Sequence, residues 1–157
     1  MTSRRSTWRD TYKVHPAADV FPMMSDEKLA QLGEDIKANG LNVPLSFCWI
    51  EVGTPIAHRV LIDGRNRLEA MERVGIRLRV RNSGLPESLH GKETANTIDG
   101  DPVARIIGLN VHRRHLTKQQ QADLIVAAVK AGEKLDQVEP VSKGGRGKKN
   151  AVKGEGS

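Results

Sequence analysis

Apolar residues switch between helical and extended spacing along this chain, and glycines and prolines mark the changes. Tyr12 to Val14 reads as a short strand stopped by Pro16, and Ala17 to Met24 as an irregular turn anchored by Val20, Phe21 and Met24. Leu29, Leu32 and Ile36 then form the stripe of a helix. Ser25 suits its N-cap, Asp26 and Glu27 suit the positive end of its dipole, and Gly40 ends it. Leu45 to Glu51 lies between Pro44 and the turn Gly53-Thr54-Pro55, which predicts a strand paired as a hairpin with Ala57 to Ile62. Arg65 to Val74 has helical spacing and stops at Gly75.

Ile76, Leu78 and Val80 alternate with Arg77, Arg79 and Arg81, the pattern of a half-buried strand with a basic outer face. Asn82 to Gly100 has no period and reads as a long loop. Asp101 as N-cap and Pro102 at the first position open a helix through Val103, Ile106 and Ile107 to about Val111. Thr117 and Gln120 have capping-box spacing, and Ala122, Ile125, Val126 and Val129 give the next helix an apolar face that stops at Gly132. The expected organisation is a basic disordered arm over 1–11, an α/β domain over 12–116, a helix over 117–132 and a flexible basic tail over 133–157. The domain is expected to hold a small mixed β-sheet with flanking helices.

Charge and composition narrow the function. Twenty-five Lys and Arg against 19 Asp and Glu give +6, with a pI near 9.7, a balance that favours polyanionic partners such as DNA. Arg4, Arg5 and Arg9 in the arm and Lys143, Arg146, Lys148, Lys149 and Lys153 in the tail are the expected DNA phosphate contacts. Aromatic residues are only 3%, which argues against a base-stacking platform. Cys48 is the only cysteine, so an internal disulfide and a multi-cysteine metal site are excluded. No apolar run approaches the roughly 18 residues of a membrane span, and the N-terminus lacks a signal-type apolar segment. The expectation is a soluble cytoplasmic protein, nucleoid-associated when DNA-bound, with no membrane partner.

Two stretches carry candidate chemistry. Val60, Leu61 and Ile62 run into Asp63-Gly64-Arg65-Asn66-Arg67, a strand, a glycine turn and a helix start. Such a start presents unpaired backbone N–H groups to an anion, and Arg forks hold phosphate oxygens in pairs. The alternative is an Asp-Gly turn capping a surface helix whose arginines are solvated. The second stretch is Asn110 to Leu116, where Asn110 and Arg113 lie three apart on a helix end, with Arg114 beside them. They either meet the same anion or form a solvated helix terminus with well-placed cations. His112 and His115 lack a third ligand, so no metal site is expected.

In order and context these stretches resemble the N-terminal domain of the ParB family of partition proteins, with the ParB/sulfiredoxin-like fold. The resemblance covers about Val14 to Gly132. It begins at Val14-His15-Pro16, the helix after Ser25 and Gly40-Leu41-Asn42-Val43-Pro44, similar to the family's G-L-x-x-P entry into the hairpin. It continues at Asp63 to Ala70, similar to the G-E-R-R-x-R-A box, and at Leu109 to Leu116, similar to the E-N-x-x-R-x-D-L box.

The resemblance implies that the first box wraps the triphosphate of CTP with Mg2+ nearby, with Gly64, Arg67, Asn110 and Arg113 keeping family roles. Arg65, Asn66 and Glu69 depart from the first box, and Leu109 and His115 from the second. Leu109 replaces a hard oxygen ligand for magnesium, so at most weak CTP hydrolysis is implied and no catalytic residue is assigned. A plasmid, phage or mobile-element relative is expected, with nucleotide-gated closure of a homodimer. Either a DNA-reading domain follows in a longer protein, or binding is through phosphates alone.

Sulfiredoxin chemistry is excluded, because Arg65 stands where its cysteine would be. Free-serine kinases of this fold carry an Asp-Gly-His-His-Arg loop that Asp63, Gly64 and Arg67 match, so a small-molecule phosphotransferase is the enzymatic alternative. Clustered carboxylates for a two-metal nuclease are missing. A protein-binding adaptor indifferent to nucleotides is the third reading.

Overall fold

The computed structural model describes residues 5–51, 53–55, 57–112 and 115–136. In chain order the elements are α1 (Trp8–Thr11), α2 (Pro16–Asp19), α3 (Asp26–Asn39), β1 (Leu45–Ile50), β2 (His58–Asp63), α4 (Arg65–Arg73), β3 (Ala95–Thr97), α5 (Pro102–Val111) and α6 (Lys118–Asp136). Among the described residues this is an α/β arrangement, a three-stranded mixed sheet with flanking helices and a C-terminal helix.

The strand order is β2-β1-β3. β1 pairs antiparallel with β2, Phe47 facing Leu61 and Cys48 facing Val60, and parallel with β3. Both faces of the sheet are covered at its centre, so Phe47 and Cys48 of β1 and Val60, Leu61 and Ile62 of β2 are buried in continuous apolar runs rather than alternating. Leu45, Phe47 and Leu61 pack with Tyr12, Leu29, Ile36, Leu68 and Met71 from α3, α4 and the N-terminal segment. Cys48, Val60 and Ile62 pack on the other side with Phe21, Ile106 and Ala128. Cys48 is 2% exposed, and burial pushes its thiol up to about 11.

Ser25 accepts from Lys28 N at α3, Asp101 accepts from Val103 N at α5, and Thr117 and Gln120 form both bonds of the expected capping box. Six expectations are corrected. Trp8 to Thr11, read as part of a disordered arm, is a helical turn. Its Trp8 is buried, with the backbone N–H and indole N–H donating to Glu72 and Glu69 at 2.6 and 2.7 Å. Tyr12 to Val14 makes only a single parallel bridge, from Val14 to Leu61.

Pro16 starts a helix rather than merely ending a strand, since a proline at the first helical position loses no intrahelical bond and His15 Nδ1 accepts from Ala17 N. Ile76 and Leu78 keep the alternation against the core and the arginines are exposed, but Val80 is exposed as well and the segment joins no sheet among the described residues. Its backbone turns on itself instead, Arg81 N donating to Leu85 O and Glu87 N to Arg79 O. The expected loop over 82–100 contains β3, held by Leu45 N to Thr94 O and Ile98 N to Phe47 O, both 2.7 Å. Finally, α6 runs through Gly132. That glycine is a packing contact, because a Cβ there would lie 2.5 Å from Val103 Cγ2.

Candidate functional site

The end of β2 and the start of α4 build the turn. Gly64 adopts φ 125° and ψ 10°, a region that side chains rarely enter, and a Cβ would overlap Leu45 Cδ2. Leu45 is fully buried beneath it, so the backbone can approach this closely only as glycine. No side chain caps α4, and helix geometry leaves its first N–H groups without intrahelical partners.

The side chains that follow differ in what they hold. Arg65 is 7% exposed, with Nη1 3.2 Å from Asp19 Oδ1 and Nη2 donating to Phe21 O at 2.6 Å. Its charge fastens α4 to the segment before α3. Asn66 Oδ1 accepts from Met24 N at 2.9 Å and ties the same two segments. Arg67 Nη2 pairs with Asp63 Oδ2 at 2.8 Å and donates to Pro44 O at 3.3 Å, while its buried Nε has no hydrogen-bond partner among the described residues. Asn110, near the end of α5, donates from Nδ2 to Ile106 O at 2.8 Å.

These residues line one cleft of about 720 Å3. Asp63, Gly64, Arg65, Asn66 and Arg67 meet Asn110 and His115 there, and α3 adds Lys28, Leu32 and Asp35 as a further wall. No protein-family model, curated protein or solved structure matches the chain. The cleft therefore stands on its own geometry. Backbone donors, one guanidinium in an ion pair and a carboxamide converge in a space large enough for a small organic ligand.

Among the described residues, no group of three or more His, Cys, Asp or Glu could hold a metal ion, and no helix is long and apolar enough to cross a membrane. A smaller cavity of about 70 Å3 beside Trp8 and Met71 contains none of the expected site residues.

Arg113, Arg114, Arg4, Lys143, Arg146, Lys148, Lys149 and Lys153 lie outside the described residues. Arg5 is exposed. Arg9 is paired with Asp19 at 3.1 Å and lies 4.6 Å over the Trp8 ring. Lys28 and Asp35 were not foreseen as site residues. Their signal was present as the spacing Lys28, Leu32, Asp35 along one face of α3, but a charged residue beside a core stripe reads equally as solvated surface.

Proposed function

We propose that this chain is a ParB-like DNA-binding module, with a ParB/sulfiredoxin-like fold, whose cleft binds a nucleoside triphosphate as a switch. CTP is the nucleotide that the resemblance implies. The observation that carries this reading is the convergence of the Gly64 turn and Arg67 with Asn110, from separate parts of the chain, on one cleft. The open start of α4 favours a phosphate electrostatically, Arg67 adds a fork, and Asn110 adds a neutral donor.

The donor set fits the phosphates better than it fits the metal. Asp63 is the carboxylate at the turn and it is held by Arg67, while Leu109 offers no oxygen. Magnesium would accordingly arrive with the phosphates, neutralising their charge. Binding rather than hydrolysis is the function these residues support. The same ion pair weakens the phosphotransferase alternative, since a carboxylate already engaged by a guanidinium is a poor general base.

Calorimetric titration with CTP, ATP and GTP plus magnesium, for the native chain and Arg67→Ala, tests the proposal. CTP binding that Arg67→Ala abolishes supports it. Phosphate transfer from ATP to an added small hydroxyl compound would establish the kinase reading instead. A chain indifferent to every nucleotide and to DNA would be an adaptor. DNA binding through phosphates alone, without base readout, predicts a log K against log salt slope of about −0.9 per contact.

A further inference from the structure

The helical turn α1 is fastened to α4 at two places. At Trp8 the backbone and indole N–H groups donate to Glu72 and Glu69, further along the helix from the cleft. At Arg9 the guanidinium forks onto Asp19, Nη1 to Oδ2 at 3.3 Å and Nη2 to Oδ1 at 3.1 Å, and lies over the Trp8 ring. The same Asp19 Oδ1 takes Arg65 Nη1 at 3.2 Å. One carboxylate therefore serves two guanidiniums, an exposed one from α1 and a buried one in the cleft lining at the start of α4.

The sharing has an electrostatic consequence. With α1 docked, two guanidiniums against one carboxylate leave one net positive charge; with α1 lifted, Asp19 and Arg65 are left as a neutral pair. The charge at the cleft thus depends on a segment outside the cleft wall. We infer that α1 is a brace that regulates the cleft: Arg9 on Asp19 makes the start of α4 hold an anion more tightly, and an anion held there keeps α1 down. Linkage makes the two effects equal in binding free energy. The inference rests on the nucleotide reading above. Arg9 and Asp19 are positioning residues in this scheme, because they act on a bound phosphate through Arg65.

The test titrates CTP plus magnesium, by calorimetry, into the native chain, Arg9→Ala, Asp19→Asn and the double variant. Arg9→Ala is expected to weaken CTP about fivefold, the low end of the factors between linked sites. Its thermal midpoint should barely move, because an exposed ion pair adds little to stability. Asp19→Asn keeps an acceptor for Arg65 and should bind CTP at least as tightly as the native chain, and adding Arg9→Ala to it should weaken binding no further. In the native chain, hydrogen exchange of the Tyr12 N–H, which donates to Trp8 O at 2.9 Å, should slow when CTP is bound. Three outcomes overturn the inference and leave the nucleotide reading standing: the same loss from Arg9→Ala with and without Asp19, no loss in either background, or Tyr12 exchange indifferent to CTP. Absence of CTP binding by the native chain overturns both.

Discussion

Arg67 of α4 and Asp63 at the end of β2 form an ion pair across the Gly64 turn, Nη2 to Oδ2 at 2.8 Å, in the lining of the cleft, with side chains only 15% and 11% exposed. A phosphate bound as proposed would compete with the Asp63 carboxylate for one guanidinium. Stability and binding respond with opposite signs when that competition is removed. Asp63→Asn should lower unfolding free energy by about 1–3 kcal/mol in urea titration, because a charge-assisted bond is lost. The same variant should bind inorganic pyrophosphate more tightly than the native chain in calorimetry. Arg67→Ala should lower both quantities, since it takes the cation from beside a largely buried carboxylate as well as from the ligand.

Gly64 offers a second contrast. Gly64→Ala forces a Cβ into Leu45 in a conformation with φ 125°, and Leu45 has no exposed side on which to retreat. A loss of about 2–4 kcal/mol is expected, combining overpacking with backbone strain. Gly53 also has a positive φ, 84°, but open space around it, so Gly53→Ala should cost only about 1 kcal/mol. Urea midpoints of the two variants measured side by side separate the close approach from the backbone conformation.

The parts of the fold that were legible in the sequence are those fixed by local chemistry. Ser25, Asp101 and the Thr117–Gln120 box cap their helices as expected, and the hairpin follows from Pro44 and the turn around Gly53. The misread parts depend on distant partners. Trp8 is buried because Glu69 and Glu72 of α4 receive its N–H groups, and nothing near Trp8 in sequence announces them. β3 is a three-residue strand paired with the edge of β1, too short for a period to register.

The Asp63 to Arg67 turn and Asn110 were legible as candidates and do share a cleft, yet the commitments of their side chains were not. Arg65 looked like a free cation beside Arg67, but it is spent on Asp19 and the Phe21 carbonyl. Only the tertiary contact between α4 and the segment before α3 distinguishes the two arginines.

Two helical glycines should respond oppositely to the same substitution. In α5, Gly108 has nothing within 4 Å of where a Cβ would stand, so Gly108→Ala gains helix propensity alone and should stabilise by up to about 1 kcal/mol. In α3, Gly33 lies against α4, where a Cβ would stand 2.6 Å from Ala70 O and 2.7 Å from Val74 Cγ1. A backbone oxygen retreats only if the helix moves. Gly33→Ala should therefore destabilise by about 1–3 kcal/mol despite its better propensity, read as a lower thermal midpoint.

Alkaline pH tests the interior of the sheet. Burial, assisted by the Glu87 carboxylate, pushes the Tyr12 phenol from its ordinary 10.0 up to about 12, and burial alone pushes the Cys48 thiol from 9.0 up to about 11. Unfolding exposes both groups and lets them ionise at their ordinary values, so between those limits the folded chain binds more protons than the unfolded one. Stability from these groups is fully present below pH 9 and falls as pH rises through 9 to 12.

By pH 11 the combined loss should be roughly 2–4 kcal/mol, at about 1.4 kcal/mol per unit of displacement, visible as a lower urea midpoint than at pH 8. Cys48→Ala should remove the part that begins at pH 9 and keep the part that begins near pH 10. Tyr12→Phe should do the reverse, losing in addition the hydroxyl bond to Leu78 O at 3.3 Å. A midpoint in the native chain that stays level from pH 8 to 11 would show that neither group is shielded by the core.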